Sequence, residues 1–541
     1  MCLLGLETEF GFSALDRQGE RCDDKVLGLM IACVRKRVPN LLCARAGCFV
    51  ANGGLLYVDT GGHLEWCTPE CTSPLEAVRY LRAGEIMVAN AARELERKRD
   101  LARIQIFKGN VDYTARNVTW GCHESYLYRN FERALPRQLI PFLASRVIFT
   151  GAGGLSSSSS GICFRLSPRV EHLVRDVSNS STDHRGIFHT KNEPLSGYEY
   201  NRLHLICGDS NCSQFQSWLK IGTTMLVVAM VDAGLCPGAA VQLSNGVAAM
   251  RRFSADAGLR ARIDGSEHHD GVSALDIQRQ YLAMAERYSG AALMPDWADE
   301  ICAAWRTTLD ALEADPMSLV GKLDWPLKKA LFERRMAAHD TVNMDSIEVW
   351  NTVLEDVVAA IGSRQRNTVM VNSQLIEENR GRRGDLGAAI RRAGKRLQKH
   401  GLHWQQLDEF LKLRWELCEL DMAFSDISER GVFNALDQSG TLAHRLFDEE
   451  ACAAAITEPP VAGRAKIRGE AIKNLFARHG RPGQCNWNSV VADGAALDLH
   501  DPFADTSEWQ PVHRDPPAEP HDLDLPAFLR ARNRGHVEHP S

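Results

Sequence analysis

Gly5-Leu6-Glu7-Thr8-Glu9-Phe10-Gly11, near the start of the chain, is a strand-like run with two acidic residues. Residues i and i+2 of a β-strand point to the same face, so Glu7 and Glu9 present two carboxylates on one surface. Like charges this close repel unless a cation lies between them, and hard cations such as magnesium prefer oxygen ligands. The run therefore predicts a magnesium–nucleotide site on a sheet.

A second acidic cluster, Tyr57-Val58-Asp59-Thr60-Gly61-Gly62-His63-Leu64-Glu65, follows about fifty residues later. Around it, strand-like and helical segments alternate. Residues 55–59 and 104–107 are predicted strands, and 74–98 is a predicted amphipathic helix.

The rest of the chain predicts an α+β fold without internal repeats. Residues 203–208 are a predicted buried strand, 217–233 a predicted buried helix, and 275–425 are helical. We expect an antiparallel-rich sheet with flanking helices in a large domain at 1–430, then a small C-terminal domain at 431–504. Residues 505–541, which are rich in proline, histidine and acids, are a predicted disordered tail.

Composition excludes several classes of protein. The 541 residues are 44% hydrophobic and 24% charged, with a net charge of −6, which is typical of a globular protein and gives no global sign of nucleic-acid binding. The longest apolar stretch, 225–231, is too short to span a membrane, and no signal peptide is recognisable. The 16 cysteines include no Cys-x-x-Cys pair, so we expect reduced thiols in a cytoplasmic protein rather than a zinc site at His63, Cys67 and Cys71.

Two segments leave alternatives open. A basic run at 380–399 lies in a helical insertion at about 340–408; it could contact nucleic acid or a partner protein, but a solvated helix face is the favoured interpretation. The segment 151–160, rich in glycine and serine, lacks the phosphate-loop pattern, so we expect a surface loop.

Nine segments, taken in chain order, are similar to the motifs of the Pup ligase and depupylase family, a branch of the glutamine synthetase-like carboxylate–amine ligases. The segments that carry the resemblance are Gly5–Gly11, Asn52–Glu65, Gly121-Cys-His-Glu-Ser-Tyr126, Arg202-Leu-His-Leu-Ile-Cys-Gly-Asp-Ser-Asn211, Ala274-Leu-Asp-Ile-Gln-Arg279, Asp324-Trp325, Arg464-Ala-Lys-Ile-Arg-Gly-Glu470, Trp487 and Asp501-Pro-Phe503. The short spacing between Gly11 and Asn52 resembles the ligase branch. In contrast, the sequence Thr68-Pro-Glu-Cys71 is more similar to the motif of the depupylases.

The resemblance implies a glutamine synthetase-like sheet cradle and a role for each matching residue. The implied magnesium cluster is Glu7, Glu9, Tyr57, Glu65 and His123; the implied nucleotide-binding residues are Thr68, Trp487, Arg202 and Arg468; and the implied catalytic base is Asp59. It also implies that ATP phosphorylates the C-terminal glutamate carboxylate of a small ubiquitin-like protein tag. A lysine amine of a target protein then attacks, which forms an isopeptide bond.

The chain departs from the family pattern at several positions. Leu55 occupies a position where family ligases carry an arginine linked to ATP, and residues 190–197 differ from the family's motif. Lysine at 191 cannot reproduce the bidentate fork of arginine. Two other hypotheses therefore remain: a phosphotransferase, ATPase or depupylase-like hydrolase that uses the same site, and a non-catalytic adaptor that binds a partner through the basic insertion.

Overall fold

The computed structural model describes residues 3–43, 47–59, 61–98, 101–114, 118–129, 135–180, 184–190, 199–265, 268–339, 342, 344–361, 371–478 and 483–512. Its strands are β1 Leu4–Asp16, β2 Asn40–Leu42, β3 Gly47–Val50, β4 Leu55–Val58, β5 Leu64–Cys67, β6 Leu101–Phe107, β7 Cys122–Tyr128, β8 Gly154–Leu155, β9 Phe164–Arg165, β10 Arg175–Ser178, β11 Gly186–His189, β12 Asn201–Leu205, β13 Arg262–Gly265, β14 His268–Ser273, β15 Gly483–Cys485, β16 Ser489–Ala492, β17 Ala495–Asp498 and β18 Trp509–Pro511.

The helices are α1 Asp23–Arg37, α2 Pro74–Lys98, α3 Leu135–Ser145, α4 Val147–Thr150, α5 Gln214–Asp232, α6 Gly246–Ser254, α7 Ala274–Tyr288, α8 Ala298–Ala314, α9 Asp324–Ala337, α10 Met344–Ala359, α11 Ser373–Arg380, α12 Asp385–Lys399, α13 Leu407–Ser425, α14 Val432–Gln438, α15 Glu449–Ala454 and α16 Arg464–Ala477. Short 3₁₀ turns occupy Pro168–His172, Pro316–Leu319 and Trp404–Gln406. The predicted helix 74–98 and the strands at 55–59 and 104–107 are confirmed. The helix predicted at 217–233 begins earlier because the Ser213 hydroxyl accepts a hydrogen bond from the Gln216 amide at 3.1 Å.

Fourteen strands form one sheet in the described part of the chain, which confirms the α+β prediction. Its order is β10-β11-β12-β7-β1-β5-β4-β3-β2-β15-β16-β17-β18, and β6 pairs with the second half of β1. Most neighbours are antiparallel, while β10–β11 and β2–β15 are parallel. The long strand β1 therefore lies near the centre, where β5 and β7 flank its acidic half.

The alternation along β1 gives the sheet two different faces. Leu4, Leu6 and Phe10 are buried, whereas Glu7 and Glu9 on the opposite face are only partly buried. The buried face contributes to two apolar cores that also include residues of α1, α2, α3, α5, α7 and α8. The opposite face is left for polar side chains.

The helical insertion has its own apolar core against α13. In that core, the Trp350 and Phe410 rings stack with their centroids 5.5 Å apart. The basic residues of α12 are exposed, and Arg396 forms an ion pair with Asp356 of the neighbouring acidic helix α10 at 3.2 Å. This contact lies within the insertion itself.

The prediction of a surface loop at 151–160 is wrong. Ser156 and Ser160 are buried, and Arg414 of α13 donates a hydrogen bond to the Ser159 carbonyl at 3.0 Å. The insertion and α13 cover this segment, which the local glycine and serine content could not reveal.

The C-terminal segment (residues 431–512) is continuous with the main sheet, because β15 pairs with β2. Helix α16 packs closely on the turn between β3 and β4: a Cβ added to Gly53, whose φ is +88°, would come within 2.8 Å of the Ala465 carbonyl oxygen. Within the predicted tail, β18 pairs with β17, so ordered chain extends past residue 505; residues 513–541 lie outside the described part. None of the described helices contains an apolar stretch that could span a lipid bilayer.

Candidate active site

A cavity of about 490 Å³ lies over the polar face of the central strands. The predicted site residues that line it are Glu7, Glu9, Tyr57, Asp59, Glu65, Thr68, His123, Arg202 and Trp487. Because these residues come from β1, β4, β5, β7, β12 and the C-terminal segment, only the folded sheet brings them together.

Five of the lining residues form what we call the acidic wall: Glu7, Glu9, Tyr57, Glu65 and His123. Glu9 lies opposite Glu65 in the β1–β5 pair, Glu65 lies opposite Tyr57 in the β4–β5 pair, and Glu7 lies opposite His123 in the β1–β7 pair. The Tyr57 hydroxyl donates a hydrogen bond to Glu65 at 2.8 Å. The predicted pair of carboxylates on one face is therefore confirmed, and neighbouring strands supply the rest of the wall.

The acidic wall brings several carboxylates together where water has little access to them. Burial, together with the Glu7 and Glu9 carboxylates, raises the pKa of Glu65 well above its usual range. Burial also raises the pKa of Glu7, but its contacts with His204, His123 and Arg202 outweigh that effect and bring the pKa below its usual range. Arg202 donates a hydrogen bond to Glu7 at 2.7 Å. Such crowding of carboxylates favours a bound cation.

Two groups of side chains can each surround a metal ion. Ligand atoms of Glu7, His123 and His204 all lie within 4.8 Å of one another, and so do those of Glu9, Asp59 and His63. The His123 ring lies between the two glutamates of β1, with Nδ1 3.4 Å from Glu7 and Nε2 3.7 Å from Glu9.

His204 was not among the predicted metal ligands. It belongs to the quoted Arg202-x-His204 pattern, in which both side chains lie on one face of β12. Burial lowers the pKa of His204 well below its usual value, which keeps the ring neutral and able to offer a lone pair.

Asp59 follows the end of β4, where a tight turn holds its side chain. One carboxylate oxygen accepts a hydrogen bond from the His63 amide at 2.6 Å, and the other lies 3.3 Å from Nδ1 of His63. Burial lowers the pKa of His63, but its contacts with Asp59 outweigh that effect and raise it. His63 thus orients the predicted base.

The predicted nucleotide-binding residues Thr68 and Trp487 both line the cavity but come from different parts of the chain. The hydroxyl of Thr68 accepts a hydrogen bond from the Leu6 amide at 3.0 Å, which ties this residue to β1. Trp487 reaches the cavity from the C-terminal segment, and its ring packs edge-on against Phe49 with centroids 4.9 Å apart. Leu55 is 5% exposed and packs in an apolar cluster with Phe49 and Cys67, so this part of the cavity wall is apolar.

Arg468 does not occupy the position expected of a direct nucleotide ligand. It is fully buried behind the cavity, where it donates hydrogen bonds to Glu70 and to the Gly53 and Trp487 carbonyls. The prediction rested on motif resemblance alone, which does not report burial. Glu70 and Arg464 have no role predicted from the sequence. The i, i+4 spacing of Arg464 and Arg468 nevertheless places both arginines on one face of α16.

Known proteins are similar to this chain over most of its length. A family model described as "Pup-ligase protein" matches residues 2–362 and 394–491. The chain belongs to the Pup ligase family. The unmatched residues 363–393 lie inside the predicted insertion, and residues 191–197 of the altered segment 190–197 lie outside the described residues.

Individual relatives of the Pup ligase family span nearly the whole chain. It is 30% identical over 522 residues to a Pup–protein ligase of Gordonia bronchialis, covering 94% of this chain and 97% of the relative. It is also 30% identical over 524 residues to a Pup–protein ligase of Mycolicibacterium smegmatis, with the same coverage.

Two solved structures share the fold at 24% identity. One is the crystal structure of the complex between the prokaryotic ubiquitin-like protein Pup and its ligase PafA, with a TM-score of 0.67 and coverage of 93% of this chain and 90% of that chain. The other is PafA in complex with ADP, with a TM-score of 0.63 and coverage of 89% and 91%.

Proposed function

We propose that this protein is an ATP- and magnesium-dependent ligase that joins a glutamate carboxylate of a small Pup-like tag to a lysine amine of a target protein. The observation that carries the proposal is the acidic wall facing the same cavity as Asp59. Membership of a family whose relatives are Pup–protein ligases supports the substrate class. The cysteines of the described residues are reduced thiols, which suits a reducing, cytoplasmic setting.

The chemistry explains why such a site needs a nucleotide. A free carboxylate does not form an amide readily, because oxide is a very poor leaving group. Transfer of the γ-phosphoryl group of ATP to the carboxylate oxygen, with release of ADP, gives an acyl phosphate whose leaving group is phosphate. The lysine nitrogen, once deprotonated, attacks the acyl carbon, the carbon–oxygen bond to phosphate breaks, and the new amide nitrogen loses its second proton to the released phosphate.

The acidic wall fits magnesium, because its carboxylates are crowded and supply the hard oxygen ligands that this ion prefers. When bound, magnesium neutralises charge on the transferring phosphoryl group. Arg202, held at Glu7, adds a fixed positive charge beside the same wall. Glu7, Glu9, Tyr57, Glu65 and His123 are thus the proposed metal-binding residues.

Asp59 is the proposed general base. A lysine amine is protonated at neutral pH and must lose a proton to attack. The carboxylate of Asp59 lines the cavity in an orientation fixed by the His63 amide and the His63 ring, and a lone pair of its second oxygen can accept that proton. His63, which lies against Asp59, keeps the carboxylate in place.

The variant Asp59→Asn tests this role. We expect nucleotide binding within about twofold of wild type, because the acidic wall is intact, and amide formation slower by at least about 100-fold, the usual contribution of a general base. Isopeptide formation would be followed with a Pup-like protein ending in glutamate, Mg-ATP and a lysine-bearing target. Ligation at the wild-type rate would contradict the assignment.

A phosphotransferase, ATPase or depupylase-like hydrolase is the second candidate. It is favoured by Leu55, which makes the cavity wall apolar where family ligases carry arginine. Steady ADP release from Mg-ATP without a tag and without isopeptide product would select the phosphotransferase or ATPase. Cleavage of a preformed tag–lysine isopeptide would select the hydrolase.

A further inference from the structure

The partly buried carboxylate of Glu70, which lines the cavity, joins the sheet to the C-terminal segment. It follows β5 and Thr68, whereas its two cationic partners, Arg464 and Arg468, lie on α16. Arg464 donates to Glu70 at 2.6 Å, and Arg468 approaches it with both terminal nitrogens. The two arginines hold the pKa of Glu70 at about 2 despite its burial, so the carboxylate is ionised at neutral pH.

The same Arg468 guanidinium also supports the tryptophan of the cavity. Its Nη1 atom donates a hydrogen bond to the Trp487 carbonyl at 3.2 Å, and its central carbon lies 4.9 Å from the centre of the Trp487 ring. On the sheet side, it lies 5.4 Å from the ring of Phe49, and its Nε atom donates to the Gly53 carbonyl at 2.9 Å. Arg468 therefore contacts both the backbone and the ring of Trp487 while anchored to the sheet.

Close backbone packing makes this arrangement stiff. A Cβ on Gly469 would come within 2.5 Å of the Ala51 carbonyl oxygen, so α16 touches the β3–β4 turn directly. Nothing larger than glycine fits at this contact. A displacement of α16 would thus require the Glu70 ion pairs to break together with this packing.

We propose that Glu70 and Arg468 are positioning residues that hold the Trp487 ring at the nucleotide side of the cavity. The inference rests on the proposed function, since it takes the nucleotide as the occupant. Arg468 is fully buried and contacts Trp487 rather than the cavity, so it acts through that ring. Thr68 and Glu70 belong to one short segment, so the contacts of Glu70 link the position of Trp487 to that of Thr68, which also lines the cavity.

The test measures equilibrium binding of Mg-ADP by titration calorimetry, which does not depend on ligation. We expect Glu70→Gln to weaken binding about tenfold, the factor that corresponds to about 1.4 kcal/mol. The matched control is Glu85→Gln. Glu85 is a more deeply buried carboxylate that also has two cationic partners, Lys108 and Arg82, but it does not line the cavity. This control should lose stability while binding ADP as wild type does.

A double-mutant cycle separates positioning from general destabilisation. If Glu70 acts through Trp487, the change Glu70→Gln should weaken binding less than about twofold when it is made in Trp487→Ala. An undiminished tenfold effect in that background would overturn the proposal. So would an unchanged dissociation constant in Glu70→Gln, or an equal loss of affinity in Glu85→Gln.

A second variant covers the case in which Glu70→Gln does not fold. Arg468→Lys keeps the charge opposite Glu70 but loses the planar fork and the stacking. We expect it to weaken ADP binding and to lose that effect in Trp487→Ala, and unchanged affinity would overturn the inference. Absence of ADP binding by the wild-type protein would refute the proposed function itself, so the two failures are distinguishable.

Discussion

Replacing Glu65 by glutamine tests whether the acidic wall is built for a cation at the expense of stability. Glu65 is 3% exposed and lies directly opposite Glu9 in the β1–β5 pair. Glutamine has nearly the same shape, and its amide oxygen can still accept the hydrogen bond from Tyr57. The change therefore removes charge while it preserves packing.

The expected size of the effect comes from the repulsion between opposed carboxylates. Side chains directly opposite in an antiparallel pair are about 5 Å apart, at which two like charges repel by about 3 kcal/mol in an effective dielectric of about 20. Partial protonation of Glu65 lowers this repulsion energy. We expect the metal-free Glu65→Gln protein to be more stable than wild type by about 1–3 kcal/mol at neutral pH.

Acid should affect the two metal-free proteins differently. Because the pKa of Glu65 is raised in the folded state, its contribution to stability is fully present below the unfolded-state pKa and is lost as pH rises through the folded value. The advantage of Glu65→Gln should therefore shrink as the solution is acidified.

The assay is thermal and chemical denaturation with and without magnesium. Magnesium at about 100 times its dissociation constant stabilises a protein by about 2.7 kcal/mol, so wild type should gain stability that the variant gains only in part. Ligase turnover should fall sharply in the variant. A less stable metal-free variant, or equal stabilisation of both proteins by magnesium, would refute the reasoning.

Three further predictions concern the packing around Gly84, the stability of the protein in acid and the acidic wall. Gly84→Ala should destabilise by about 1–3 kcal/mol in urea denaturation, because a Cβ there collides with the buried Trp66 ring; unchanged stability would contradict this packing. Wild type should lose the contribution of Glu70 as pH falls from 4.5 toward about 2, so Glu70→Gln should show a weaker acid dependence. Tyr57→Phe removes the hydrogen bond to Glu65 and should raise the magnesium concentration needed for half-maximal activity, whereas an unchanged requirement would argue against Tyr57 as a ligand.

Local pattern predicted much of the central sheet. The alternation in β1 correctly placed Glu7 and Glu9 on one face, and the apolar periodicity of residues 74–98 correctly gave α2. Pattern failed at 151–160, where glycine and serine suggested a surface loop although the insertion and α13 bury this segment. When a distant part of the chain buries a segment, that burial cannot be predicted from the sequence of the segment itself.

The roles of individual arginines show the same limit. Resemblance grouped Arg202 and Arg468 as nucleotide-binding residues, yet only Arg202 lines the cavity. Arg468 is fully buried against Glu70, a residue nearly 400 positions earlier in the chain. Sequence spacing cannot reveal this ion pair, because its partners meet only when the C-terminal segment packs on the sheet.

By itself, the sequence determined how side chains alternate between the two faces of β1, the residue types of the acidic wall and the family to which the chain is similar. These follow from near-neighbour geometry, in which i and i+2 share a face and side-chain chemistry selects the ligand. The tertiary structure alone decided which strands are adjacent, that His204 joins Glu7 and His123, and that Arg468 supports Trp487 from behind. Those contacts join residues far apart in the chain, so they depend on how the whole sheet pairs and how α16 packs against it.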